Sequence, residues 1–131
     1  MLYFKSDFLH ISFDESLKSV VMDWKTAPTS VEFKTGLNRG LDALKDKRAV
    51  NWLAYLENLG ALDEKDQQWS NEDWFPRALG AGVKNMAIVV SSDIFNQMTV
   101  ESIMSKVPGT ALTVQYFNNA EKAQAWLRSV A

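Results

Sequence analysis

The sequence predicts an α/β domain with a five-stranded mixed sheet, in which the first strand is antiparallel and the next four are parallel. Short apolar runs alternate with segments of helical periodicity in the order β-β-α-β-α-α-β-α-β-α, which is typical of parallel sheets. A short polar turn joins the first two runs and indicates a hairpin. No linker rich in proline, glycine or serine divides residues 1–131, so we expect a single domain.

The hairpin is predicted from alternation and turn chemistry. Leu9, Ile11 and Phe13 alternate with polar residues, as in a strand with one buried face. Residues 15–18 form a short polar turn, and Ser19–Trp24 then supplies the returning strand.

A long helix is predicted after Pro28. Thr29 and Glu32 stand at the spacing of a capping box, in which each side chain satisfies a backbone N–H of the first turn. Its apolar stripe is Phe33, Leu37, Leu41 and Leu44. Gly36 and Gly40 lie beside that stripe, and because glycine disfavours a helix interior, the pair predicts close approach to a neighbouring backbone.

The remaining strands differ in how they expose their two faces. Asn51–Leu56 and Met86–Val90 are apolar on both faces, which favours central parallel strands. Leu112, Val114 and Tyr116 alternate with polar residues and predict a half-exposed fifth strand. The simplest strand order is therefore 1-2-3-4-5, with the first and fifth strands at the edges.

Two helices are predicted between the third and fourth strands. The first is a short helix over Asp63–Trp69. Ser70 and Asp73 then indicate the cap of a second helix, which runs to Gly80 and Gly82.

Two further helices are predicted near the end of the chain. Thr99 caps a helix that Pro108–Gly109 ends. Its apolar stripe is Val100, Ile103, Met104 and Val107. Asn118 and Glu121 cap the last helix. The apolar face of that helix is Ala123, Trp126, Leu127 and Val130.

Composition excludes several classes of function. The net charge is −2, which provides no basic footprint for nucleic acid. One histidine and no cysteine exclude a zinc finger, a Cys/His nucleophile pair and a His-rich metal site, so we expect no metal and no cofactor. Lys5 and Asp7 interrupt any signal-peptide core, and the longest apolar run, residues 86–90, is too short to span a membrane. We expect a cytoplasmic protein.

Four stretches carry a resemblance to a known family. These are Asp66–Trp69, Trp74–Arg77, Gly82–Val90 and Ala123–Leu127. With the element order, they resemble the STAS domain of the SpoIIAA anti-sigma-factor antagonists, and more narrowly the bacterial SpoIIAA-like group, which is also likened to CRAL-TRIO lipid-binding domains. The resemblance implies a SpoIIAA/STAS-like fold and a non-enzymatic regulatory role.

The phosphorylation switch of STAS antagonists is not carried over. Their phosphorylatable serine follows the third strand, whereas residues 56–63 of this chain contain no hydroxyl side chain. Glu57 places a permanent negative charge there, but a lone glutamate is a poor substitute for a switch.

The candidate site lies at the carboxyl ends of the predicted parallel strands, where open α/β sheets usually bind ligands. Trp24, Trp69 and Trp74 are predicted to wall a cleft there. Its polar groups are Glu57, Asn58, Ser91 and Asp93. Large aromatic side chains with a few polar groups are typical of a small-molecule site. The alternative interpretation is that the tryptophans fill the core.

Charged residues nearby leave further alternatives open. Residues 57–73 are acidic, which suits either hard cations or the first turns of helices. Arg77 either grips an anionic group or forms a local ion pair. His10 is expected to face solvent from a strand rather than to act in catalysis.

The leading hypothesis is a non-enzymatic STAS-like module that binds a partner protein or a small apolar ligand. One alternative is an enzyme that uses Glu57 or Asp66 as its acid or base, and another is a structural dimerisation domain. If the helices cover mainly one face of the sheet, Leu53 and Tyr55, or the residues that alternate with them, need another cover. We expect Leu2, Tyr3, Phe4 and Phe8 to supply it, within the chain or across a homodimer.

Overall fold

A computed structural model describes residues 1–131, except for the side chain of Val100. The strands are β1 (Leu2–Lys5), β2 (Leu9–Asp14), β3 (Ser19–Trp24), β4 (Asn51–Tyr55), β5 (Asn85–Val89), β6 (Met104–Lys106) and β7 (Thr113–Phe117). The helices are α1 (Ser30–Asp46), α2 (Glu64–Trp69), a π-helical turn (Ser70–Trp74), α3 (Phe75–Gly80), α4 (Ser92–Asn96), α5 (Val100–Ile103) and α6 (Ala120–Val130). None of these helices is long and apolar enough to cross a membrane.

All strands form one mixed sheet in the order β1-β2-β3-β4-β5-β7-β6. The predicted antiparallel hairpin is β2–β3, and β3, β4, β5 and β7 are parallel, as expected. The predicted count of five strands is wrong, because β1 and β6 extend the sheet at either end. The first and fifth predicted strands, β2 and β7, are therefore not edges.

The two unpredicted strands carry no alternation that the sequence could show. In β1 the pairing with β2 shifts between Leu2 and Phe4, which breaks the two-residue period. In β6 all three residues are exposed, and the strand exists because the edge of β7 offers unpaired backbone groups.

The predicted helix from Thr99 to Val107 is wrong beyond Ile103. The start is confirmed, because the Thr99 hydroxyl accepts a hydrogen bond from the Ser102 amide at 3.2 Å. The chain then leaves the helix at Met104, which pairs with Gln115 of β7. Val100 of the predicted stripe has a side chain outside the described residues.

Two predicted caps are also corrected. Ser70 and Asp73 do not begin a new helix, since α2, the π-helical turn and α3 follow one another without a break. We call residues 64–80 the α2–α3 segment. The last helix is capped by Asn119 rather than Asn118, because the Asn119 carboxamide oxygen accepts the Lys122 amide at 3.1 Å.

One face of the sheet is covered by α1 and the α2–α3 segment, and the two glycines of α1 allow the close packing. The capping box of Thr29 and Glu32 is confirmed. A Cβ on Gly36 would lie 2.6 Å from the Trp24 ring, and one on Gly40 would lie 2.5 Å from the Trp52 ring. The glycines thus mark close approach to indole rings and not to a neighbouring backbone.

The opposite face is covered in part by α6, so the expected cover of that face is wrong. Leu53 is buried with α6, and Gln124 of that helix donates a hydrogen bond to the Tyr55 hydroxyl at 3.0 Å. The N-terminal aromatic residues instead pack on the α1 side, where the Tyr3 hydroxyl donates to Asp46 at 2.7 Å. Self-association stays a prediction, but the N-terminal aromatic residues no longer support it.

Candidate ligand-binding site

A cavity of about 270 Å³ lies between the sheet, α1 and the α2–α3 segment. Its lining is Trp24, Phe33, Leu37, Trp52, Ala54, Leu56, Leu59, Leu62, Ser70, Asn71, Trp74, Phe75, Met86, Ile88, Val114 and Tyr116. Trp24 ends β3, Leu56 follows β4 and Tyr116 is the penultimate residue of β7, so the cavity reaches the carboxyl ends of the parallel strands.

The floor of the cavity follows from the two-residue period of the strands. Side chains alternate across a sheet, so one in two residues of β4, β5 and β7 faces α1 and the α2–α3 segment. Ala54, Ile88 and Tyr116 stand in register on neighbouring strands and form one row of the floor. Ala54 has the smallest side chain of the cavity lining, so this position of the floor fills the least space.

The π-helical turn supplies the roof. The Phe75 amide donates to the Ser70 carbonyl oxygen, five residues back, so this turn contains one residue more than an α-helical turn. As a result Ser70, Asn71, Trp74 and Phe75 all line the cavity. Single π-helical turns inside helices occur frequently at functional sites.

Trp74 fixes this turn against α1 and the sheet. Its indole Nε1–H donates to the Leu37 carbonyl oxygen of α1 at 2.8 Å. Its ring meets the Trp52 ring edge to face, with 5.1 Å between centroids. The buried indole is therefore satisfied as a donor and packed as an apolar group, so the roof is held before any ligand arrives.

The chemistry of the cavity is apolar with a few neutral polar groups. Ser70, Asn71 and Tyr116 provide hydroxyl and carboxamide groups, and no residue of the described lining is charged. An ionised ligand would lose its hydration there without gaining a counter-ion, which is costly. The arrangement therefore suits an uncharged molecule with one hydrogen-bonding end.

Of the three tryptophans predicted to wall a cleft, the structure brings two together. Trp24 and Trp74 are buried and line the cavity. Trp69 lies outside the lining, with its ring edge-on to Phe33 at 6.3 Å between centroids. Lys34 and Arg77 place their charged groups over the Trp69 ring, at 5.7 and 6.0 Å from its centroid.

Asp66 and Arg77 also lie outside the cavity lining. Asp66 is buried and accepts a hydrogen bond from the Ser30 hydroxyl at 2.5 Å, which ties α2 to the start of α1. Arg77 pairs with Asp73 at 3.2 Å and donates to the Asn38 side chain at 2.9 Å. The contacts of Asp66 and of Arg77 with Asn38 therefore join the α2–α3 segment to α1, and the pair of Arg77 with Asp73 lies within the segment.

The remaining predicted polar residues lie at the ends of β4 and β5. Glu57 and Asn58 are exposed in the turn after β4, and Asp93 is exposed in α4. The Ser91 hydroxyl caps α4 by accepting the Ile94 amide at 3.3 Å. These four residues share one edge of the sheet but are not among the residues that line the cavity, and their part in binding stays a prediction.

Sequence reasoning missed most of the cavity lining. The sequence of β4 and β5 did contain an indication of the cavity. These strands are apolar on both faces, so each face had to contact apolar groups. The π-helical turn could not be found, because Ser70 and Asp73 resemble an ordinary helix cap. Among the described residues, no three His, Asp or Glu side chains lie close enough to hold a metal ion.

Comparison with known proteins identifies the family of the chain. The model of the SpoIIAA-like family matches residues 20–128, which is most of the chain and runs from the second residue of β3 into α6. No curated protein and no solved structure matches the chain significantly.

Proposed function

Since the chain belongs to the SpoIIAA-like family, we propose that it is a regulatory module of the STAS type that binds a small, uncharged, mainly apolar molecule. The cavity beneath the π-helical turn is the observation that carries this proposal. It is mainly apolar, lies between one face of the sheet and the helices that cover this face, and is edged by the neutral polar groups of Ser70, Asn71 and Tyr116.

The size of the cavity limits the ligand. Ligand pockets usually enclose roughly 300–1,000 Å³, so a cavity of about 270 Å³ accepts a molecule smaller than a typical drug. A medium-length alkyl chain or a small fused ring fits this description. The polar end of such a molecule would meet Ser70 and Asn71, because these residues lie where the α2–α3 segment meets solvent.

The enzymatic alternative gains no support from this geometry. Glu57 and Asp66 were the candidate acids or bases, and neither lines the cavity. Asp66 is buried against Ser30. A general acid or base must come within hydrogen-bond reach of the substrate.

The proposal is tested with 1-decanol as the probe and with Ala54→Leu as the variant. We expect saturable binding of 1-decanol, detected as a rise in the melting temperature and by calorimetric titration. Ala54→Leu fills the floor of the cavity, so its affinity should fall at least about tenfold, which corresponds to ~1.4 kcal/mol. Ile88→Phe, at a half-buried position of the same row, serves if Ala54→Leu does not fold.

The control variant is Ala125→Leu, which adds the same side chain at an exposed position of α6. Its affinity should equal that of the original chain. Decanoate at pH 8 has nearly the same alkyl chain with an ionised end, and it should bind much more weakly. The proposal would be overturned if 1-decanol did not bind saturably, or if Ala54→Leu bound it as tightly as the original chain.

A further inference from the structure

A second cleft, of about 600 Å³, lies at the opposite end of the sheet from the carboxyl ends of the parallel strands. It is formed where the β2–β3 turn, the end of α1, the start of β5 and the end of α6 meet. Its lining is Phe13, Glu15, Lys18, Lys47, Arg48, Val50, Lys84, Asn85, Val130 and Ala131. We call this the basic cleft.

The basic cleft concentrates positive charge in a chain whose net charge is −2. Lys18, Lys47, Arg48 and Lys84 line it, against the single carboxylate side chain of Glu15. The two ion pairs found among the described residues, Lys25–Asp23 and Arg77–Asp73, both lie elsewhere. None of the four cations forms an ion pair with a carboxylate of the described residues.

Two of these cations occupy backbone conformations that normally belong to glycine. Lys18 has φ of 49° and Arg48 has φ of 51°, and they are the residues other than glycine with positive φ in the described chain. Lys18 closes the β2–β3 turn. Arg48 follows the C-cap of α1, where the Ala49 amide donates to the Leu44 carbonyl oxygen at 3.0 Å. Helices that end in this way usually carry glycine at the position of Arg48.

A side chain at positive φ costs free energy that glycine would not cost. Both costly positions of this chain carry a long cationic side chain, and both face the same cleft. Such local conflict between residue and backbone is typical of functional sites. Lys18 and Arg48 thus place charged side chains at positions where glycine would be less strained.

The two cationic segments are also held together. The Lys18 carbonyl oxygen accepts hydrogen bonds from the Val50 and Asn51 amides, at 3.2 and 3.1 Å. This joins the β2–β3 turn to the loop that carries Arg48. The cations therefore project from a fixed backbone, which reduces the entropy that a bound anion would cost.

We propose that the basic cleft binds a compact anion with several negative charges, of the phosphate-ester or polyphosphate class. Four cations in a concave site match the charge of such a group, and arginine matches its oxygens in a bidentate geometry. The site is separate from the apolar cavity. Its ligand is ionised, whereas the ligand of the cavity is not.

Inorganic tripolyphosphate is the probe, titrated into the chain by calorimetry at fixed ionic strength with sulfate as the reference anion. We expect saturable binding of tripolyphosphate and weaker binding of sulfate. Lys18→Gly and Arg48→Gly should each weaken binding about tenfold or more, since each removes a charge-assisted contact. Lys84→Gln should weaken it by a similar factor.

The glycine variants separate binding from folding. Because glycine suits both positions, each variant should melt at the same temperature as the original chain or higher, while its affinity falls. Lys65→Gln removes an exposed cation of α2 outside the cleft and should change the affinity less than twofold. The proposal would be overturned if tripolyphosphate showed no saturable binding. It would also be overturned if Lys18→Gly and Arg48→Gly bound tripolyphosphate as tightly as the original chain.

Vesicles that contain phosphatidylglycerol distinguish a free phosphate compound from a lipid headgroup. Binding of tripolyphosphate alone supports a soluble phosphate compound. Binding of both, with the same loss in Arg48→Gly, supports a phosphate group that either source can supply. Binding of vesicles without binding of tripolyphosphate would contradict a compact anion site and indicate a membrane-facing surface.

Discussion

Asp14 organises the β2–β3 turn through its carboxylate. Its Oδ1 accepts hydrogen bonds from the Ser16 hydroxyl at 2.7 Å and from the Leu17 amide at 3.2 Å. The Ser16 hydroxyl holds the pKa of Asp14 below its ordinary value of 3.8, against a smaller opposing effect of burial. The turn therefore depends on the ionised form of one side chain.

The pH dependence follows from the direction of this shift. A carboxyl whose pKa is lower in the folded state stabilises the fold above its ordinary pKa of 3.8, and this stability is lost as the pH falls through the lower, folded value. Ser16→Ala should therefore reduce the free energy of unfolding by about 0.5 kcal/mol at pH 6, measured by urea denaturation. The difference should disappear near pH 2, and an equal difference at both pH values would contradict this role of Asp14.

Helix α1 packs unusually close to the sheet at Gly40. A Cβ there would lie 2.5 Å from the Trp52 ring and 2.7 Å from the Met22 sulfur, and Trp52 is held on another side by Trp74. Gly40→Ala gains about 1 kcal/mol of helix propensity but incurs overpacking of about 1–3 kcal/mol. We expect a net loss of stability, measured as a lower midpoint of urea unfolding.

Gly80 at the end of α3 provides the matched control. A Cβ there would meet no atom within 4 Å, and the residue has no positive φ. Gly80→Ala should therefore stabilise the chain by about 0.5 kcal/mol, because only the propensity gain remains. If Gly40→Ala proved as stable as Gly80→Ala, the close packing of α1 on Trp52 would be wrong.

The elements that could be predicted are those whose periodicity comes from one clearly buried face. The strands β2 and β7 alternate, β4 and β5 are apolar throughout, and α1 carries both a capping box and an apolar stripe. The strands β1 and β6 could not be predicted, because a bulge at Leu2–Phe4 removes the period of β1 and full exposure removes that of β6. Tertiary pairing with β7, rather than local preference, ends the helix that begins at Thr99.

At the scale of the whole molecule, the two proposed sites lie at opposite ends of the sheet and differ in chemistry. The apolar cavity uses the face toward α1 and the α2–α3 segment, and it reaches the carboxyl ends of the parallel strands. The basic cleft lies at their amino ends. Sequence reasoning located the first region through Trp24 and Trp74. It missed the second, because Lys18, Lys47, Arg48 and Lys84 are far apart in the chain and are gathered only by the fold.

The five tryptophans divide between the cavity and the rest of the fold. Trp24, Trp52 and Trp74 line the cavity. Trp69 packs outside it against Phe33, and Trp126 packs against Phe117 on the opposite face of the sheet. Each indole N–H gives a separate signal in a proton–nitrogen correlation spectrum, so the five signals report on both groups at once.

The most direct test of the central claim is a titration of the chain with 1-decanol followed by these five indole signals. The proposed site predicts saturable shifts for Trp24, Trp52 and Trp74, with the signals of Trp69 and Trp126 unchanged. In Ala54→Leu the same shifts should require at least about tenfold more 1-decanol. Shifts confined to Trp69 or Trp126, or equal shifts in all five signals, would contradict a ligand site beneath the π-helical turn.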